Sequence, residues 1–436
     1  MAFNSRWSRL AAFCAALALA VALAPAADAQ LAKPKRKAAA QEPVPGQQYS
    51  PEFRKQASKV QPLVNDKKWF EVLAALPALE ALPDKTPDDE RAIATWRLQA
   101  SQGSGDKDLF AAAVENFLAK GYADASQLSA MHQSLAAYYN NKQEREKALH
   151  HYQQFVDATP DVEPDELETL GKLYRQSKRF PEAATWFTKA IDLASSKGEK
   201  PKEELFQLRD HCLVETKDRD GRIANLEGLI ALYPKKDYYT NLVALLASAS
   251  QEDRVVMLNA YRLAVTDPQG GLATVGGYLG YADLALVAGS PGEAARALQH
   301  GMNDKVVPGV GTNQQMLQEA KAAVASDQKT LAAEAAAAAR SPKGDVSVKV
   351  GLGNYSAGNF EKAAELVRQG IAKGGVTRLD DANLLLGASL MELGRSEEAK
   401  AAFEAAAGAA KDPNMARLAR LWMARAARET AAPAGG

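Results

Sequence analysis

The sequence predicts an all-α chain, an α-solenoid in which antiparallel helix pairs stack into a right-handed superhelix. Three observations predict it. Apolar residues recur at spacings of three and four through most of the chain, small residues return where two helices would touch, and a self-similar unit repeats about every three dozen residues.

Composition fits this class and closes others. The 436 residues balance 53 Lys+Arg against 53 Asp+Glu, with 47% hydrophobic and 24% charged residues, so a folded soluble body is expected. A net charge of zero supplies no basic field, which disfavours a generic nucleic-acid binder. Two cysteines exclude a disulfide scaffold and a Cys-built zinc site.

Residues 1–29 read as a signal peptide: Arg6 and Arg9 precede an apolar run from Leu10 to Leu23, and Ala27-Asp28-Ala29 offers a cleavage site before Gln30. The run falls short of the ~20 residues that a bilayer span needs. Cys14 lies inside it and away from the cleavage point, so a lipid anchor is not expected. Cleavage would remove Arg6, Arg9 and Asp28, giving a net charge of −1 with Cys212 as the remaining cysteine. The expected location is the periplasm of a Gram-negative cell, without stable membrane insertion after cleavage. Residues 30–50 carry Lys33, Lys35, Arg36, Lys37, Pro43 and Pro45, and read as a disordered basic, Pro-rich linker.

Residues 51–128 read as divergent N-terminal helical repeats with turns at Pro83 to Pro87 and Gly103 to Gly105. The repeat is plainest within 129–303. There Leu167, Leu170, Gly171 and Tyr174 line one helix face, and Ala183, Phe187, Ala190 and Ile191 line the next. Pro181 opens the second helix, where its missing N–H costs nothing. Gly171 and Ala183 mark the closest approach, with Tyr174 and Phe187 filling the space beside them. The template also occurs upstream as Leu135, Ala136, Tyr139, Ala148, Tyr152, Phe155 and Pro160, with Ala136 35 residues before Gly171. A weaker copy holds Tyr278, Tyr281, Ala282, Gly289, Ala294 and Leu298, and two degenerate ones run from Phe206 to Tyr233 and from Tyr239 to Leu263. Residues 304–343 break the pattern with an irregular loop and a long Ala-rich helix. Residues 344–411 hold two further copies, built on Gly351, Phe360, Ala363 and Val367, then on Gly387, Ala399, Phe403 and Ala406. Residues 412–436 read as a capping helix and tail, with Leu418, Leu421 and Trp422 inward and Arg417, Arg420, Arg425 and Arg428 in water.

These units resemble the tetratricopeptide repeat (TPR), a helix-turn-helix of about 34 residues with large, Leu-Gly, aromatic, Ala, aromatic, Ala and Pro positions in that order. His132 and Asn383 stand where two copies should carry a large residue. The order of segments further resembles an uncharacterised group of exported proteobacterial TPR proteins, through Trp69 to Leu82, Tyr233-Pro234-Lys235-Lys236-Asp237-Tyr238-Tyr239, Gly370 to Gly375, and Leu418 to Trp422. That resemblance implies the fold and export and, through a label some relatives carry, an accessory role in TonB-type envelope machinery.

No catalytic set emerges. His150 and His151 are adjacent on a helix and point about 100° apart, so they cannot chelate one ion together. His132, His211 and His300 have no partner at helical ligand spacing, and His211 diverges from Cys212, which reads as a buried structural thiol. Asp345 to Gly353 suggests half of a dinucleotide fingerprint, but the third glycine is missing and a helix is expected. Asp88-Asp89-Glu90 and Glu203-Glu204 read as helix openers. The chain is therefore expected to be non-enzymatic, without cofactor or metal.

Function is expected from a concave groove lined by the first helix of each pair. The repeat's geometry places Gln133, Asn140, Asn141, Glu168, Lys172 and Arg175 on its polar N-terminal wall. Its apolar C-terminal wall would be Leu279, Leu286, Val287, Val348, Leu352, Tyr355, Leu384 and Met391. An apolar stripe left in water marks a docking site. Alternatively, the helix of 312–340 or the linker folds back to fill it. The expected function is a periplasmic scaffold or adaptor that binds an envelope protein or peptide. The second reading is an accessory, non-catalytic component of peptidoglycan or other cell-envelope enzymes.

Overall fold

A computed structural model describes residues 48–249 and 253–431; the expected signal peptide and the linker up to residue 47 lie outside the described residues. The described chain is all-α, with no strand. It divides into two compact units, one ending at Leu193 and the other starting at Ala194.

The first unit contains α1 (Pro51–Asn65), α2 (Trp69–Glu80), α3 (Pro87–Ser104), α4 (Lys107–Ala119), α5 (Ala125–Asn141), α6 (Arg145–Asp157), α7 (Pro164–Gln176) and α8 (Phe180–Ser196), whose last turn crosses the boundary. Helices pack chiefly on their neighbours in sequence. The expected starts are chemically explicit. Thr86 caps α3 in a capping box with Asp89, and Asp124 caps α5 in another with Gln127. In the pair α7–α8 the predicted faces are buried, and a Cβ built on Gly171 would lie 2.7 Å from Phe187 Cε1. Glycine is thus what lets the Phe187 ring lie on the backbone of α7. At the N-terminal end, Phe53 stacks between Tyr49 and Trp96, at centroid distances of 5.4 and 6.0 Å.

The second unit contains α9 (Glu203–Glu215), α10 (Arg219–Leu232), α11 (Lys236–Ala249), α12 (Arg254–Thr266), α13 (Val275–Val287), α14 (Pro291–Asn303), α15 (Gly311–Asp327), α16 (Leu331–Arg340), α17 (Gly344–Ser356), α18 (Phe360–Lys373), α19 (Leu379–Glu392), α20 (Ser396–Ala409) and α21 (Pro413–Ala431). The segment 344–353 is helical, as expected. Residues 312–340 are not one long helix: the helix is interrupted between Asp327 and Leu331, α15 packs on α14, and α16 packs on α17 while burying only Leu331 and Ala338.

A shared turn joins the helices of seven pairs. Its middle residue has positive φ: Lys67, Gln143, Lys178 and Lys217 at 57° to 61°, and Gly289, Gly358 and Gly394 at 70° to 81°. A left-handed backbone costs an L-residue roughly 1–2 kcal/mol, so the glycines hold this turn at lower cost than the lysines do.

Packing in the second unit departs from a simple ladder. Helix α21 lies against α10, α12, α19 and α20, while α12 also meets α14 and α19, and α14 meets α17. Trp422 stacks on Phe403 at 5.1 Å, as an inward-facing cap would. The arginines correct the expected wet face. Arg420 is exposed, but Arg425 is 5% exposed, with its Nη1 donating to Thr266 Oγ1 at 2.7 Å. Arg428 pairs with the buried Asp267 and donates to the carbonyls of Ile230 and Ala231 at 3.3 and 3.2 Å. Arg417 pairs with Glu227 at 3.1 Å. The sequence pattern could not show this, because each partner lies more than a hundred residues away.

Candidate functional site

The six N-terminal groove candidates lie on α5 and α7, the first helices of consecutive pairs. Gln133 and Asn140 are half-buried and Asn141 is exposed. Glu168 is buried and accepts from Lys172 Nζ at 2.6 Å, so this acid is neutralised within its own helix. Arg175 is half-buried, and its Nε is shielded from water without a hydrogen bond among the described residues. A shielded guanidinium donor costs free energy until an acceptor meets it. This stretch of the first unit therefore offers amides and a guanidinium edge, groups suited to peptide carbonyls and carboxylates.

The C-terminal candidates separate into two groups. Leu286 and Val287 are exposed, whereas Leu279, Val348 and Leu352 are half-buried. Tyr355, Leu384 and Met391 are 1%, 1% and 5% exposed, which corrects the expectation that all eight form one apolar stripe in water. Helix α12 packs on α19, and the Arg262 guanidinium of α12 lies 5.4 Å from the Tyr355 ring centroid.

That contact belongs to a closed polar core. Arg262 donates from Nε and Nη2 to the two oxygens of Glu293, at 2.7 and 2.9 Å, with both side chains 1% exposed. Tyr281 and Ser290 each donate to Glu293 at 2.8 Å. Arg262 Nη1 donates to Asn259, whose Nδ2 donates to Asp381 Oδ1 at 2.7 Å. Burial alone would push the Glu293 carboxyl up, but the facing guanidinium holds it at about 2. No local pattern signals this network, since Arg262 and Glu293 each sit at an ordinary helical spacing in separate copies. A cleft of about 350 Å³ beside it is lined by Tyr281, Arg296, His300, Tyr355 and Glu392.

The remaining polar candidates find structural roles. Asp89 accepts from the Ser50 N–H at 3.1 Å as well as capping α3. Glu203 does more than open α9: Lys235 Nζ binds it at 2.6 Å, and Tyr238 donates to it. Cys212 is fully buried beside an exposed His211. His132 and His151, which the sequence left unpaired, meet across α5 and α6 with their Nδ1 atoms 3.1 Å apart. Among the described residues no group of three or more His, Cys, Asp or Glu is gathered to hold a metal ion, and no helix is long and apolar enough to cross a membrane.

A family model described as "Tetratricopeptide repeat" matches residues 380–413, the region of α19 and α20. With its antiparallel helix pairs, the chain is an all-α, TPR-like helical-repeat protein. No curated protein matches it by sequence. It is similar to a tetratricopeptide repeat protein from Parabacteroides merdae, at 13% identity and a TM-score of 0.25, covering 68% of this chain and 99% of that one. It is also similar to the TPR domain of P58(IPK), at 13% identity and 0.23, covering 87% and 98%. The TPR2AB domain of yeast Sti1, solved in a complex titled with pHSP90, gives 11% identity and 0.23, covering 69% and 99%. Likeness at this level carries nothing about function.

Proposed function

We propose that this chain is an exported, non-enzymatic scaffold of the cell envelope that binds a protein or peptide in the periplasm. The location is supported by the leader-like residues 1–29. Binding by the first unit is supported by one observation above others: α5 and α7 hold Gln133, Asn140, Asn141 and Arg175 at or near the surface. Such a face takes an extended peptide through its carbonyls or an acidic side chain.

Site-specific crosslinking in envelope preparations tests this. A photoreactive residue at Asn140 should capture a partner that Arg175→Glu loses, while the same residue at Val287 captures none. Capture at Val287 but not at Asn140 would move the binding surface to the second unit. Recovery of the chain solely from the cytoplasm would sink the proposed location.

A further inference from the structure

We infer that the cleft beside the closed polar core of the second unit binds a small zwitterion, of the size of a free amino acid or a dipeptide. Its volume, about 350 Å³, falls at the small end of the range for ligand pockets. Most polar groups of its lining already have partners. Tyr281 donates to Glu293, Thr266 accepts from Arg425, Gln299 donates to Asn303 at 3.1 Å, and His300 meets the Tyr278 hydroxyl at 2.9 Å. Three groups are left over: the Tyr355 hydroxyl, the free edge of Arg296, and the Glu392 carboxylate.

The hydroxyl carries the most weight. Tyr355 is 1% exposed, with the guanidinium groups of Arg262 and Arg296 at 5.4 and 5.3 Å from its ring centroid, yet its O–H makes no hydrogen bond among the described residues. A shielded donor of this kind gains when an acceptor enters the cleft. Arg296 is fixed in place at the end of α17, where its Nη1 donates to the Ser356 carbonyl at 2.9 Å and its Nη2 to that of Tyr355 at 3.3 Å. Those bonds use two of the five guanidinium N–H groups, which leaves three for a ligand. Glu392 keeps solvent contact at the end of α19 and has no hydrogen-bond or ion-pair partner among the described residues. It is nonetheless crowded enough that desolvation raises its carboxyl, while Arg296 and Arg425 oppose this through charge alone.

The remaining charge around the cleft is paired: Arg262 with Glu293, Arg425 with Glu429, and Lys236 with Asp304. One cation and one anion therefore line the same space without closing on each other. A ligand with only one sign of charge leaves one of them unmatched. A zwitterion satisfies both, its carboxylate accepting from Arg296 and the Tyr355 hydroxyl and its ammonium donating to Glu392.

Calorimetric titration of the full chain with glycine, β-alanine, γ-aminobutyrate and diglycine tests the site and reads the charge spacing it prefers. The expected result is one molecule bound per chain, with one spacing favoured, and a loss of roughly tenfold or more when the amine of that probe is acetylated or its carboxylate amidated. Glu392→Gln and Tyr355→Phe should each weaken binding by a comparable factor. Both keep the size of the side chain, and Tyr355→Phe removes a hydroxyl that bonds to nothing in the chain, so without ligand its melting temperature should hold or rise. The favoured probe should raise the melting temperature of the parent chain more than that of either variant. Absence of heat and of any melting shift with all four probes would overturn the proposal. So would an acetylated probe that binds as tightly as its parent, or binding undiminished in both folded variants.

Discussion

The two units use the same helical pair for different ends. In the first, helices pack mainly on their sequence neighbours, and α5 and α7 keep polar side chains at the surface. In the second, the last helix returns to α10 and α12, and residues expected on an open wall, such as Leu384, are 1% exposed. A repeat's inner face is thus only potentially a binding face. Whether it is free depends on side chains elsewhere in the chain that can pair with it.

The second unit depends most on its buried ion pair. Glu293→Ala removes the paired carboxylate of the buried Arg262 and should destabilise the second unit by ~3–5 kcal/mol. Phe187→Ala tests the first unit at a similar ~3–5 kcal/mol, because that ring is fully buried. Amide hydrogen exchange can assign each loss to its own unit. Loosening that leaves the substituted unit's own helices unchanged would refute the assigned packing.

Acid should act chiefly on the second unit. Glu293 is held at about 2 in the folded chain against an ordinary 4.5, so the unfolded chain binds the extra proton and stability falls as pH drops from about 4.5 towards 2. Asp381 and Glu227 are raised by burial, and act in the opposite sense by taking up protons earlier in the folded state. Urea midpoints should therefore hold or rise slightly on approach to pH 4.5, then drop. A midpoint independent of pH below that value would remove the charged pair from the account.

Smaller effects sharpen the contrast. Arg428→Ala leaves Asp267 buried without its counter-charge, held by Tyr239 at 2.5 Å and the Gln269 N–H at 3.0 Å, and should cost ~1–3 kcal/mol. Faster exchange confined to α21 would verify it. At the shared turn, Lys178→Gly should stabilise by up to ~1 kcal/mol and Gly358→Ala should destabilise by about as much, both measured by denaturant midpoint.

Much of the fold was legible because its signals are local. Leu167, Gly171, Tyr174, Ala183 and Phe187 are within one pair, and their spacing alone specifies which faces meet. The turn glycines and capping boxes are likewise contained in a few residues. The candidate site was harder to read. Arg417, Arg425 and Arg428 look like a solvated helix face until Glu227, Thr266 and Asp267 are brought beside them by the fold. Tyr355 and Leu384 were placed on the groove by periodicity, which cannot say that they will be buried in the fold. His132 and His151 escaped for the same reason: ligand spacing along one helix was the wrong ruler for a pair formed across two.

The return of α21 also bears on how this chain can change length. An open array tolerates gain or loss of a unit, since each addition merely moves the end outward. Here, excising or duplicating one pair between α12 and α19 would carry Arg425 and Arg428 away from Thr266 and Asp267, by the displacement of one whole unit. The number of repeats in this half is thereby locked, and evolution or engineering must vary it in the other half.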